Sequence, residues 1–212
     1  MKIRNHLLEG EGVDFRESPN QGGEYAEGAL DTIIIHYTAG ANAESAVETL
    51  SDTERRVSAH LVVGRDGAVT QLLLFNAIGW HAGVSQWGQR EGFNQYSIGI
   101  EIDNAGQLEQ KDGKCVSWFD RAYPEEEVFW GVHRNQIEAT PWHRFTKVQV
   151  EAVEELCRLL IAEYGLRHIL GHEEIAPQRK IDPGPAFPLD GLRARLLHGS
   201  VASLLSERGG EI

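Results

Sequence analysis

Residues 32–37 read TIIIHY and residues 97–102 read SIGIEI. Each is a short run of β-branched apolar residues, the pattern of a strand buried in a sheet. Each also carries one side chain with chemistry in it, His36 and Glu101. Ala39-Gly40 closes the first run, and 43–50 then shows a helical pattern. Farther out, 59–63 and 69–74 are apolar runs around Arg65-Asp66-Gly67, and an Asp-Gly between two such runs predicts a hairpin. Residues 79–96 are rich in Gly, Trp, Gln and Asn without sustained periodicity and read as a loop. From 146 to 164 apolar residues recur at 148, 150, 153, 156, 157, 160 and 161, a helical spacing. Thr146 is placed to cap that helix and Gly165 to end it. Residues 168–170 suit a short strand, Pro183, Pro185 and Pro188 break regular structure, and 192–205 has a second helical pattern. Strands alternate with helices, so the expected fold is one α/β domain with a central mixed sheet flanked by helices.

That domain is expected over 31–200. It follows a polar, glycine-rich and irregular lead-in at 1–30 and precedes a tail at 201–212. Residues 104–143 stand apart. They are charged, contain Trp118, Trp130 and Trp142, and lack a clear period. A structureless connection of this length is usually functional or disordered, and the tryptophans favour a packed excursion.

The chain has 212 residues, 20 Lys and Arg against 32 Asp and Glu, and a formal net charge of −12. A surface of that sign argues against nucleic acid, whose phosphates need basic partners, and against adsorption to anionic membranes. No apolar run approaches the roughly 20 residues that span a bilayer. The start, MKIRNHLLEGEG, lacks the apolar stretch of about 7–15 residues of a secretory signal. A cytoplasmic, monomeric protein is the expectation. The two cysteines, Cys115 and Cys157, do not form a disulfide framework, and Cys157 falls in the helical pattern as a small core residue.

Two imidazoles and a carboxylate make a ligand set suited to Zn²⁺ with one position left for water. His36, His172 and Asp182 could supply it, although a histidine ending a strand more often serves structure. A carboxylate within SIGIEI is either a solvent-facing strand residue, alternating with Ser97 and Gly99, or a general base on the floor of a cleft. Lys180 is either a solvated charge or a cation aimed at a developing oxyanion.

Four blocks go further: IIIHYTAG (33–40), VSAHLVVGRDGAVTQLL (57–73), GWHAGVSQWGQREGFNQYSIGIEI (79–102) and GHEEIAPQRKIDPGPAF (171–187). In order and spacing they resemble the type 2 N-acetylmuramoyl-L-alanine amidase family, which shares its fold with peptidoglycan recognition proteins. Within it they resemble the cytoplasmic anhydro-muropeptide amidases of cell-wall recycling. The resemblance implies zinc ligands at His36, His172 and Asp182, a catalytic glutamate at Glu101 and a catalytic lysine at Lys180. It implies a peptidoglycan fragment as substrate, cut at the lactyl–L-Ala amide. Trp80 and His81 then read as a cleft wall, and Arg56 as a contact to stem-peptide carboxylates. His60 reads as structural, and His133, His143 and His168 have no motif support. The recycling enzymes carry a second arginine just before the asparagine matching Asn94. Here Gly92 stands where it falls, so that grip is either lost or supplied by Arg90. Three alternatives remain open at this point. They are a lytic amidase acting on intact wall, a non-catalytic peptidoglycan-binding module, and a hydrolase of another amide.

Overall fold

The computed structural model describes residues 1–198. Six strands form the main sheet, in the spatial order β15 (His168–Gly171), β4 (Thr32–Tyr37), β9 (Ser97–Ile102), β5 (Leu61–Val63), β6 (Val69–Gln71) and β3 (Val13–Phe15). At its centre β4 (Thr32–Tyr37) runs parallel to β9 (Ser97–Ile102), which runs parallel to β5 (Leu61–Val63). On the outer side of β4 lies β15 (His168–Gly171), also parallel. The strand β6 (Val69–Gln71) returns antiparallel to β5 through the Asp66-Gly67 turn, as the sequence predicts. The sheet is therefore mixed.

Alternation along the strands separates two faces. Ile33 and Ile35 of β4 and Ile98, Ile100 and Ile102 of β9 join one hydrophobic core. Helix α2 (Lys147–Tyr164) covers that face with Val153, Leu156, Cys157 and Leu160, all fully buried. Each such side chain contributes on the order of 1.5–3 kcal/mol relative to exposure. The α2 boundaries follow from local chemistry. Thr146 and Gln149 form a reciprocal capping box, and Gly165 ends the helix in the left-handed region at φ 64°. The opposite face carries His36 and Glu101 and packs α1 (Ala43–Ser51), which starts where the Asn42 side chain accepts the Ser45 N–H.

The lead-in is not irregular, which corrects the expectation for 1–30. Strands β1 (Lys2–Arg4) and β2 (Leu7–Glu9) form a hairpin whose two-residue turn puts Asn5 and His6 at positive φ. Strand β3 (Val13–Phe15) then joins the main sheet parallel to β6. Three-residue strands hold too few side chains to show a period, but Leu8 is buried in the core. The loop at 79–96 also contains a small ribbon, β7 (Gln86–Trp87) with β8 (Arg90–Glu91), and a tight turn at Phe93–Gln95.

The excursion at 104–143 folds as two antiparallel units. Strands β10 (Glu109–Lys111), β11 (Lys114–Val116) and β12 (Ala122–Tyr123) form a meander, and β13 (Val128–Val132) with β14 (Ala139–His143) forms a hairpin. Ala105, Leu108, Tyr123 and Val128 give it a small core of its own. Of its three tryptophans only Trp142 is buried; Trp118 is 70% and Trp130 50% exposed. After β15 come the single turn α3 (His172–Ile175) and then α4 (Leu189–Arg193), which continues as a π-helical turn at Ala194–His198. The helical pattern expected over 192–205 thus starts earlier. Its last residues, and the tail at 201–212, lie outside the described residues.

Candidate active site

Sheet register builds the site. Gly171 of β15 lies opposite Ile35 of β4, so the next residue, His172, comes abreast of His36. His36 in turn lies opposite Glu101 of β9. Three side chains thus line up at the carboxyl ends of three adjoining parallel strands, where open α/β sheets place their ligand crevices. Asp182 arrives from the loop after α3, held by the Glu173 N–H donating to its carbonyl at 2.8 Å.

His36 Nδ1, His172 Nδ1 and Asp182 Oδ2 converge. The two nitrogens are 2.9 Å apart, and they lie 2.9 and 3.1 Å from the carboxylate oxygen. All three residues are buried. The outer edges of the rings decide what those nitrogens carry. His81 Nε2 lies 3.1 Å from the Ser97 carbonyl, an acceptor only, so Nε2–H donates there and His81 Nδ1 is left as an acceptor. It accepts the Nε2–H of His36 at 3.0 Å. His172 Nε2–H donates to the Ala82 carbonyl at 3.2 Å. Burial, reinforced by the neighbouring His172, pushes the His36 pKa down to about 4, so its ring is neutral near pH 7. His36 Nδ1 therefore presents a lone pair to the point where His172 Nδ1 and Asp182 Oδ2 also converge. Two ring nitrogens and a carboxylate oxygen at this spacing are a donor set that fits a cation. Tetrahedral zinc with bonds of 2.0–2.1 Å would set its ligands about 3.3 Å apart, close to the spacing found.

Beside the triad, Glu101 opens partly to the cleft. Its Oε2 is shielded from solvent and has no hydrogen-bond partner among the described residues. Burial raises its pKa well above the usual carboxylate range, with Asp182 reinforcing and Lys180 opposing. Lys180 lines the same cleft of about 760 Å³, as do Trp80, His81 and Arg55. A partnerless carboxyl with a raised pKa beside a cation site suits a group that takes up and returns a proton.

The remaining expected contacts divide. Trp80 is half-buried on the cleft wall. His81 also borders the cleft, but it is committed to orienting His36, and Gly99 makes room for it: a Cβ there would lie 2.5 Å from the His81 ring. Arg56 is exposed, sits at φ 51°, and is not among the cleft residues; its neighbour Arg55 is. Asn94 does not line the cleft either. Its Oδ1 accepts the N–H groups of His81 and Ala82 at 3.1 and 2.7 Å and so shapes the loop that carries them. Arg90, offered as a replacement for the missing arginine, is not among the cleft residues and is bound elsewhere. The buried carboxylate of Asp31 needs counter-charge, and Arg90 Nη1 donates to it at 2.8 Å while lying 4.7 Å over the Tyr96 ring. His60 is structural, as read: Gly99 N–H donates to its Nδ1, and its Nε2–H donates to the Ala77 carbonyl.

Two features escape the sequence reading. Arg179 donates to the carbonyls of Ala82 and Val84 at 2.8 and 2.7 Å, fixing the loop that orients His172. It lies inside a quoted block, yet a cation next to Lys180 reads as a solvated charge. The second is a strut. The buried Glu173 carboxylate accepts from His133 Nε2–H at 2.7 Å and Gly184 N–H at 3.1 Å, and lies 2.9 Å from Arg134 Nε as an ion pair. It ties the β13–β14 hairpin to the loop bearing Asp182. Trp142 seals the joint: Gly184, at φ 71°, has no space for a Cβ, which would sit 2.5 Å from the indole. The partners lie 40 residues apart, beyond any local pattern.

Comparison with known proteins places this geometry. The family model for N-acetylmuramoyl-L-alanine amidase matches residues 26–185. The chain is 30% identical over 168 residues to the N-acetylmuramoyl-L-alanine amidase AmiD of Escherichia coli K12, covering 75% of this chain and 50% of the relative. It is 34% identical over 144 residues to the 1,6-anhydro-N-acetylmuramyl-L-alanine amidase AmpD of the same strain, covering 67% and 58%. It thus spans between half and three-fifths of the length of these curated relatives. Among solved structures, the complex of E. coli AmiD with the substrate anhydro-N-acetylmuramic acid-L-Ala-D-gamma-Glu-L-Lys superposes with a TM-score of 0.61 at 29% identity. That match covers 82% of this chain and 60% of that one. Selenomethionine AmpD superposes with a TM-score of 0.65 at 24% identity over 92% and 98%, a likeness of fold. Matched by the family model over most of its length, this chain belongs to the N-acetylmuramoyl-L-alanine amidase family.

Proposed function

We propose that the protein is a zinc-dependent N-acetylmuramoyl-L-alanine amidase that hydrolyses the lactyl–L-Ala amide of soluble peptidoglycan fragments in the cytoplasm. The observation that carries this reading is the convergence of His36 Nδ1, His172 Nδ1 and Asp182 Oδ2 beside a carboxyl whose Oε2 has no hydrogen-bond partner among the described residues. Two imidazoles and a carboxylate suit zinc, and His36, His172 and Asp182 would hold it. Bound there, zinc supplies Lewis acidity and a water of lowered pKa. Glu101 takes the proton of the attacking water as the oxygen adds to the lactyl carbonyl. Lys180 stabilises the negative charge that develops on the carbonyl oxygen. Glu101 then delivers the proton to the nitrogen of L-Ala as the C–N bond breaks. Arg55, exposed at the cleft, offers a cation to the carboxylates of the stem peptide.

The fragment substrate is supported by the AmiD complex with an anhydro-muropeptide and by the likeness to AmpD. Among the described residues no helix is long and apolar enough to cross a membrane. The test is a paired digestion read by mass spectrometry, with anhydro-muropeptide and intact sacculi as substrates and a chelator control for each. Chelator-sensitive release of stem peptide from the soluble fragment alone is the expected result. Release from sacculi would make the protein a lytic amidase. Cleavage of neither by zinc-loaded protein would refute the amidase reading.

A further inference from the structure

Helix α1 forms one wall of the cleft. Ser45, Ala46, Thr49 and Leu50 face it, a spacing that puts them on one side of the helix. Nine residues of helix are about 13 Å long. Past the carboxyl end of α1 the rim holds Arg55 and Val57. Before its amino end the rim is Ala39, Gly40 and Ala41, and over them stands Trp118 from the 104–143 excursion, with Phe119 beside it. One end of the wall is cationic and the other aromatic.

Trp118 is not a loose surface residue. Its Nε1–H donates to the Ala39 carbonyl at 2.7 Å. Phe119 meets it edge-on, with ring centroids 5.5 Å apart at 90°. Phe119 in turn packs on the small core of Ala105, Leu108, Tyr123 and Val128. Ala39 holds a positive φ of 50°, uncommon for a residue with a Cβ, and its carbonyl is the one that anchors the indole. The ring is thus held at one edge while 70% of the residue stays open. A large aromatic side chain fixed by a hydrogen bond and a ring contact to a residue packed on a small core, yet left uncovered at the rim of the cleft, is placed to be covered by a ligand.

The substrate proposed above has two chemically distinct halves. The stem peptide carries carboxylates, which match the Arg55 end. The N-acetylmuramic acid ring is uncharged and presents a face of C–H groups, which packs on the electron-rich face of an indole. We propose that Trp118 is a specificity-determining residue that stacks on the sugar ring, so that the excursion is a sugar-recognition element added to the amidase core. This rests on the amidase reading, since it names the occupant of the same cleft.

The experiment compares two substrates with the same scissile amide. One is N-acetylmuramoyl-L-Ala-γ-D-Glu-L-Lys, and the other is the N-lactoyl tripeptide, which keeps the lactyl group and lacks the sugar ring. The quantity read is the ratio of their kcat/KM values on the zinc-loaded full chain. Trp118→Ala lowers that ratio by about tenfold, the scale of losing one well-packed aromatic anchor, and Trp118→Phe keeps most of it. An unchanged ratio in Trp118→Ala, whatever the absolute rates, overturns the proposal. The same ratio is measured as binding affinity by calorimetry in a Glu101→Gln background. If wild-type protein with zinc bound cleaves neither substrate, the amidase reading falls, and the affinity ratio still decides Trp118: a tenfold loss upholds it and no change overturns it.

Discussion

His81 to Phe is the substitution that isolates the tautomer argument. The imidazole of His81 touches no metal donor; its one service to the cluster is to accept the Nε2–H of His36 at 3.0 Å. Phenylalanine retains the ring over Gly99 and removes the acceptor. His36 then has two options. It leaves a buried N–H unpaired, which costs about 1–3 kcal/mol, or it moves the proton to Nδ1 and blocks its own ligand atom. Either route falls on the metal-bound state, because that state alone requires the proton on Nε2. Zinc affinity should therefore drop about 10- to 100-fold, the range typical for losing a hydrogen-bond partner of a metal-bound histidine. Competition with a chromophoric chelator near pH 7.5 measures it, and urea unfolding of the metal-free protein separates it from a general loss of stability. A zinc Kd within twofold of wild type, in a folded variant, would refute the assignment of His36 Nδ1 as the free donor.

Other consequences are sharper in different assays. Glu101→Gln should keep zinc and lose about 10²–10⁴ in kcat, as expected for a general acid–base group, with turnover and bound metal measured on one sample. Near-normal turnover with zinc bound would remove Glu101 from the mechanism. His60 is buried and neutral, its pKa pushed down to about 4 by burial, with the Ala77 hydrogen bond opposing. Between that value and the unfolded value of about 6.5 the unfolded chain binds more protons, so stability falls as pH falls. The contribution lost between pH 7.5 and pH 5 is about 2 kcal/mol. Urea titrations of wild type and His60→Gln should give stabilities whose slopes against pH are nearly equal at pH 7.5 and differ by close to one proton near pH 5, and equal slopes near pH 5 would count against it. Glu173→Ala leaves the buried His133 Nε2–H without its acceptor, which costs about 1–3 kcal/mol, while Arg134 keeps Glu174. Hydrogen exchange should show amides of 128–143 losing protection ahead of the main sheet, and uniform loss would argue against a strut.

Legibility in the sequence followed the range of the forces involved. The β4 and β9 runs, the Asp66-Gly67 hairpin and the Thr146–Gly165 caps depend on neighbours within a few residues, and all were readable. Strands β1 to β3 were not, because three residues half buried on a core leave no period. Residue type marked His81, Asn94 and Arg90 as interesting, and each does bond specifically. What it did not carry is direction: His81 points at a ligand's back edge, Asn94 at two backbone N–H groups and Arg90 at a buried Asp31. Arg56 and Arg55 differ by one position, enough to move a cation out of the cleft. The Glu173 strut and the Trp118 platform are contacts between distant segments, and only the folded chain brings them together.

The alignment of His36 and Glu101 across neighbouring central strands also bears on how the molecule fails. Those strands lie in the middle of the sheet with the α2 core behind them, so their hydrogen bonds open only when the whole domain does. Trp118 and its meander rest on a small separate core and a few bonds to the 39–41 segment. On warming, the rim therefore loosens before the floor. For an amidase whose substrate preference rests on Trp118, as proposed above, the expected consequence is a temperature interval in which amides are still turned over while the preference among them is lost, so that errors of choice precede loss of speed.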